Sequence, residues 1–256
     1  PPFTWGVGVK LKYVIARKPR KLRPFLGLFA GYGTARLRVP LRFSNDRNGN
    51  SIPDTRETAV AGPTHPTLAE RRTKMRKGIA LIDGPPAPVG GLVETVLAED
   101  LPVRVYRPAS PRGRPWMLYL HGGGWATGDL DSHDRICRRL CSENDLMVIA
   151  LDYRLSPETP FPGAIGDVRK AWPAAAELAA RLGANPAWAT VGGDSAGGNL
   201  AAVMCHHHRD LDLPGPSPRL QLLVYPAMDF RLVEAYHAEF AEGYLLTKES
   251  IDTYKA

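Results

Sequence analysis

One serine of this 256-residue chain is flanked by glycines at the spacing that a nucleophile needs, in Gly193-Asp194-Ser195-Ala196-Gly197. A serine hydroxyl attacks poorly unless it is held exposed beside a base. Glycines two residues before and after it permit a sharp strand-to-helix turn that pushes Oγ out of a sheet. The same turn leaves the Ala196 amide at a helix N-terminus, aimed at developing negative charge. Upstream, His121-Gly122-Gly123-Gly124-Trp125 follows the apolar run Trp116–Leu120. Three successive glycines leave backbone N–H groups open to a substrate oxygen. A glycine loop and a serine elbow, in that order and each after its own strand, are the two halves of an oxyanion hole. The chemistry they suit is acyl transfer.

Further stretches extend the pattern: Asp152-Tyr-Arg-Leu-Ser-Pro-Glu158 with Phe161-Pro162, Gly193 to Gly198, and Glu242-Gly-Tyr-Leu-Leu-Thr-Lys248. On these residues the chain resembles the hormone-sensitive-lipase-like family of α/β-hydrolases, which are carboxylesterases and lipases, from about Pro66 to its last residue. The resemblance implies that Ser195 is the nucleophile and that the amides of Gly123, Gly124 and Ala196 form the oxyanion hole. It implies that His121 braces the glycine loop and takes no part in proton transfer. The implied substrate is a small-molecule ester with a short acyl chain, and neither a cofactor nor a metal is required. Amides, lactones and acetylated sugars stay open, because the motifs report acyl transfer and not the leaving group.

Such residues must be positioned by alternating strands and helices. A charged helix is expected over 67–80, then a hairpin of strands at 92–97 and 103–107. Short apolar runs at 117–120 and 147–151 read as buried strands, joined by a helix near 132–143. A helix over 164–182 leads to a strand at 188–192, the elbow, a helix over 196–207 and a last strand at Leu220–Tyr225. This alternation predicts an α/β fold with three layers, a mainly parallel sheet covered by helices on both faces. Active sites in such sheets lie outside the carboxyl ends of the strands, where both glycine motifs fall.

The triad order in this fold is serine, acid, histidine. The histidines after Ser195 are His206, His207, His208 and His237. His206 lies eleven residues along the elbow helix, ~17 Å from the serine at 1.5 Å per residue, and the adjacent three read as a solvated helix end. His237 sits in a stretch like the family's cap region. Asp229 is the nearest candidate acid, in a place that some α/β-hydrolases use and this family does not. Leu220–Tyr225 counts as the sixth of the eight strands in the implied fold. The expectation is therefore an incomplete hydrolase domain, with the last two strands and the downstream Asp and His missing. The alternative is a catalytically inactive module of the same fold, acting by binding or not acting. An apolar strand left at the sheet edge offers unpaired backbone groups to a second copy, so self-association is expected there.

The net charge of +7 is unevenly placed, since residues 1–43 hold ten Lys or Arg and no acid. The rest is close to neutral, so the basic excess says nothing about the hydrolase substrate. Alternation over 7–15, a basic turn at Lys18–Arg23 and the apolar run Phe25–Tyr32 read as a solvated basic hairpin, and nucleic acid is not the expected partner. Asp46, Asn48, Asn50, Asp54 and Glu57 have the spacing of a calcium loop, with Ser51 where its glycine should be. An ordinary Asn/Asp/Gly turn is the preferred reading. Residues 1–62 are thus expected to be an appendage to a hydrolase domain at 63–256. No apolar run reaches the ~20 residues of a membrane-spanning helix. Cys137, Cys141 and Cys205 form no framework, which suggests buried thiols in a reducing, cytoplasmic setting.

Overall fold

A computed structural model describes residues 10–12, 25–30, 33–37, 67–82, 85–229 and 251–252. Three short strands, β1 (Lys10–Lys12), β2 (Phe25–Ala30) and β3 (Gly33–Leu37), form one antiparallel sheet in that order. The expected hairpin thus gains a third strand. The basic turn at 18–23, the Asp46–Glu57 loop, His237 and the Glu242–Lys248 stretch lie outside the described residues.

Helix α1 (Leu68–Ile82) precedes the main sheet. Thr67 starts it with a reciprocal cap, its hydroxyl accepting from the Glu70 amide while the Glu70 carboxylate takes the Thr67 N–H and O–H. Then come β4 (Gly91–Leu97), β5 (Leu101–Arg107), β6 (Trp116–Leu120), α2 (Asp134–Asn144), β7 (Met147–Leu151), α3 (Gly163–Arg181), β8 (Ala189–Asp194), α4 (Ala196–Asp210) and β9 (Leu220–Val224). The six strands lie in the order β4-β5-β7-β6-β8-β9. Pairing is antiparallel at β4–β5 and β5–β7, and parallel across β7, β6, β8 and β9.

Side chains alternate across a strand, so a strand that is apolar throughout feeds two cores. Trp116, Leu118 and Leu120 of β6, with Met147, Ile149 and Leu151 of β7, pack beneath α3 and α4 through Ala171, Trp172, Ala175, Leu200 and Met204. Met117, Tyr119, Val148 and Ala150 face the other way, onto Cys137, Leu140 and Cys141 of α2. Three layers follow. Trp116 and Trp172 hold the larger core together, their ring centroids 5.0 Å apart. Cys137 and Cys141 are buried free thiols, whereas Cys205 is half-buried.

Candidate active site

Strands β6 and β8 are parallel neighbours, with Leu120 opposite Gly193, so the segments that leave their carboxyl ends emerge side by side. One is the glycine loop and the other the serine elbow. Strand β8 runs to Asp194, two residues further than the sequence suggested, so the elbow starts directly from the sheet. Ser195 has φ +50° and ψ −116°, a conformation that side-chain-bearing residues adopt only under constraint. The constraint is visible. The Ser195 amide donates to Val224 O at 2.9 Å, and its carbonyl accepts from Asn199 N at 3.0 Å and Ala227 N at 3.2 Å. Helix α4 starts at the next residue, and Gly197 lets its first turn press on the end of β6, because a Cβ there would overlap the Leu120 carbonyl group.

The glycine loop is fixed just as firmly. Gly123 adopts φ +124°. Its carbonyl accepts from the Thr127 hydroxyl at 2.8 Å and the Thr127 amide at 2.9 Å. In a trans peptide the N–H lies opposite the C=O, so these bonds turn the Gly124 amide away from Thr127. Among the described residues, nothing accepts a hydrogen bond from the amides of Gly123, Gly124 or Ala196.

His121 is buried, with its ring stacked on Tyr153 at 4.3 Å. Its Nδ1 lies 2.8 Å from Gly122 O. A carbonyl only accepts, so Nδ1 carries the proton. Burial, reinforced by the neighbouring His133, pushes the His121 pKa down to about 4 and keeps the ring neutral near pH 7. The Tyr153 hydroxyl donates to the His121 carbonyl at 2.7 Å.

Asp194, which the sequence did not single out, joins the two motifs. Its Oδ1 accepts from the Tyr119 hydroxyl at 2.8 Å and from the Gly122 amide at 3.0 Å. His133 Nε2 stands 3.5 Å from the same oxygen. Burial pushes this carboxyl upward, but the donors around it, the Tyr119 hydroxyl among them, outweigh burial and hold the group below its ordinary value. A buried charge needs partners, and the sequence around Asp194 carries no signal that it is buried.

Arg72 of α1 was also missed. Its guanidinium donates to Ala126 O at 2.9 Å and Ser156 O at 3.1 Å, and it makes two 2.8 Å bonds to Glu158. Arg76, one turn on, pairs with Asp129. Helix α1 is thereby latched to the segment that follows the glycine loop.

The three histidines of α4 depart from expectation. Only His206 is exposed, beside Asp210 at 3.1 Å, while His207 and His208 are half-buried and His208 Nε2 meets the Ser217 hydroxyl at 3.3 Å. The helix end is less solvated than its composition suggests, and Ser217 of the following loop returns to His208. Asp229 lies five residues beyond the end of β9. Among the described residues no group of three or more His, Cys, Asp or Glu is placed to hold a metal ion. No described helix is long and apolar enough to cross a membrane.

A mixed α/β sheet that presents a serine elbow and a glycine loop at adjacent strand ends defines the α/β-hydrolase class. The family model of the alpha/beta hydrolase fold matches residues 117–256, and the chain belongs to that family. It is 46% identical over 160 residues to the carboxylic ester hydrolase LipN of Mycobacterium tuberculosis, covering 61% of this chain and 43% of that protein. It is 36% identical over 205 residues to an ethyl acetate hydrolase of Pseudomonas putida, covering 75% and 63%. Among solved structures, an ester hydrolase from the metagenome of Lake Arreo superposes with a TM-score of 0.67 at 37% identity, covering 75% of this chain and 64% of that one. The chain spans 43% to 63% of the length of these two curated relatives.

Proposed function

We propose that this chain carries the nucleophile and oxyanion-hole part of a serine carboxylesterase that hydrolyses short-chain acyl esters. The observation that carries the reading is the junction of the two motifs. Gly197 packs on Leu120, the Gly122 amide binds Asp194, and Ser195 is held strained at the point where they meet. In the proposed reaction Ser195 Oγ attacks the ester carbonyl and a base takes its proton. The amides of Gly123, Gly124 and Ala196 receive the oxyanion, and their lack of acceptors among the described residues supports that role. The alkoxide leaves, and water then releases the acid from the acyl-enzyme.

His121 serves as a brace. Its Nδ1 proton is held by Gly122 O, and its Nε2 is buried and makes no hydrogen bond to the Ser195 hydroxyl, so it is not the base. His133 faces Asp194 and is not the base either. We assign the base and its acid to sequence outside the described residues, which accords with a chain that spans only part of its relatives' length. The names of the relatives, a carboxylic ester hydrolase and an ethyl acetate hydrolase, support ester hydrolysis, and the second supports an ester of a small acid.

One observation favours a second reading, an inactive α/β-hydrolase-like binding module. Among the described residues, no imidazole makes a hydrogen bond to the Ser195 hydroxyl. A fluorophosphonate probe separates the two. The esterase reading expects labelling that disappears in Ser195→Ala, together with turnover of p-nitrophenyl butyrate. No labelling of the whole gene product establishes the binding module, and labelling that survives Ser195→Ala refutes the nucleophile.

A further inference from the structure

Behind the site lies a Ser–His–Asp constellation that takes no part in the proposed proton transfer. Ser132, His133 and Asp194 are all buried, with side-chain contacts of 2.9 Å (Ser132 Oγ to His133 Nδ1) and 3.5 Å (His133 Nε2 to Asp194 Oδ1). We infer that His133 is a positioning residue for the glycine loop, acting through the Gly122 amide; the inference rests on the esterase reading of that loop.

The protons can be assigned from the partners. Ser132 has one hydroxyl proton, and the Asp129 carbonyl at 3.0 Å can only accept it. The Asp129 amide donates to Ser132 Oγ at 2.9 Å and takes one lone pair. His133 Nδ1 must therefore donate to the other, which fixes the ring's tautomer and its rotation. With Nδ1–H committed, the Nε2 edge faces the Gly122 amide, which lies 3.3 Å from it and 3.0 Å from Asp194 Oδ1. One N–H is thus shared between an imidazole and a carboxylate. The Tyr119 hydroxyl donates to the same oxygen of that carboxylate. Ser132 also receives a second restraint, its amide donating to Asp129 Oδ1 at 2.7 Å.

The consequence for the reaction is geometric. Gly122 precedes Gly123, so the shared bond sets where the chain enters the proposed oxyanion hole. Asp194 precedes Ser195, so the same bond fixes the loop to the nucleophile's own turn. With His133 removed, the Gly122 amide keeps only the carboxylate and gains room to rotate about it. Displacements of about 1 Å at a reacting centre cost on the order of 10²-fold in rate. Ground-state binding, made elsewhere in the pocket, changes little.

Two substitutions separate positioning from packing. Asparagine places its amide nitrogen where Nδ1 stands and keeps the Ser132 contact alone. Glutamine reaches the Nε2 position with an oxygen that accepts the Gly122 N–H. In the whole gene product, His133→Asn should lower kcat on p-nitrophenyl butyrate by on the order of 10²-fold with KM within about twofold, and His133→Gln should recover most of it. In ¹⁵N–¹H spectra the Gly122 amide proton should move upfield in His133→Asn and stay near its original shift in His133→Gln. Equal kcat losses and equal Gly122 shifts in the two variants would overturn the inference in favour of simple packing. If the unaltered protein has no turnover, the esterase reading falls, and the Gly122 resonance alone decides the hydrogen bond. Thermal midpoints of both variants check that each is folded.

Discussion

Replacing Tyr119 or Tyr153 with phenylalanine removes one oxygen from the same buried neighbourhood, yet the two costs should differ. Both side chains are about 1% exposed, and both hydroxyls make one short bond, at 2.8 Å for Tyr119 and 2.7 Å for Tyr153. Tyr153 donates to a neutral carbonyl, that of His121. Tyr119 donates to the Asp194 carboxylate, which is buried. A neutral hydrogen bond contributes about 0.5–1.5 kcal/mol and one to a charged group about 1.5–3 kcal/mol. For a protein of this size 1 kcal/mol moves the melting midpoint by roughly 2–4 °C. Tyr119→Phe should therefore lower the midpoint at pH 7 by about 3–12 °C, roughly twice the loss for Tyr153→Phe. The pH dependence provides a second check. Asp194 titrates below its ordinary value of 3.8 in the folded protein, so its stabilisation is complete above that value and is lost as pH falls through the lower folded value. Loss of the Tyr119 donor raises the folded value and so shifts acid unfolding upward in pH, whereas Tyr153→Phe leaves it in place. Urea titrations at a series of pH values measure both effects. Equal costs, or an acid midpoint unmoved by Tyr119→Phe, would refute the claim that Asp194 is a buried anion held by Tyr119.

Gly197→Ala should abolish soluble expression or sharply lower the melting midpoint, because the new Cβ meets the Leu120 and His121 carbonyls; Gly166→Ala in α3, with nothing within 4 Å, should be neutral or stabilising in the same melt. Arg72→Ala should release α1 and raise its rate of limited proteolysis, while Arg72→Lys recovers only part of the protection because an ammonium cannot bridge two carbonyls and a carboxylate in one plane. His121 should titrate only near pH 4 when followed by NMR of its ring; because its folded value lies below the ordinary 6.5, the neutral ring's contribution to stability is present above 6.5 and is lost as pH falls towards about 4. A His121 ring that titrates above pH 6 would show that its environment is not closed to water.

The elements of the main sheet were legible in the sequence because each carries a local period. Apolar runs of five, such as Met147–Leu151, mark strands buried on both faces, and the Ala-rich stretches at 164–182 and 196–207 mark the helices that cover them. The glycine spacing around Ser195 was legible for a different reason. Gly197 answers to a close approach between backbones that no other residue tolerates, so the tertiary contact leaves its trace in the residue type. The elbow and the glycine loop could therefore be located, and their order along the chain read, without coordinates.

What holds these two segments against each other was not legible. Asp194, His133, Tyr119 and Arg72 are ordinary polar residues that lie up to 86 residues from their partners. Whether a carboxylate is solvated or buried, and whether an imidazole faces water or an amide, depends on burial. Burial is set by strand order and helix packing and not by neighbours in sequence. The half-buried His208 illustrates the same limit, since it meets Ser217 of the loop that follows the helix. Sequence alone determined which backbone conformations and which reacting atoms this chain offers. Only the tertiary structure decided which buried charges and hydrogen bonds keep them in register, because those energies exist only once water has been excluded from between them.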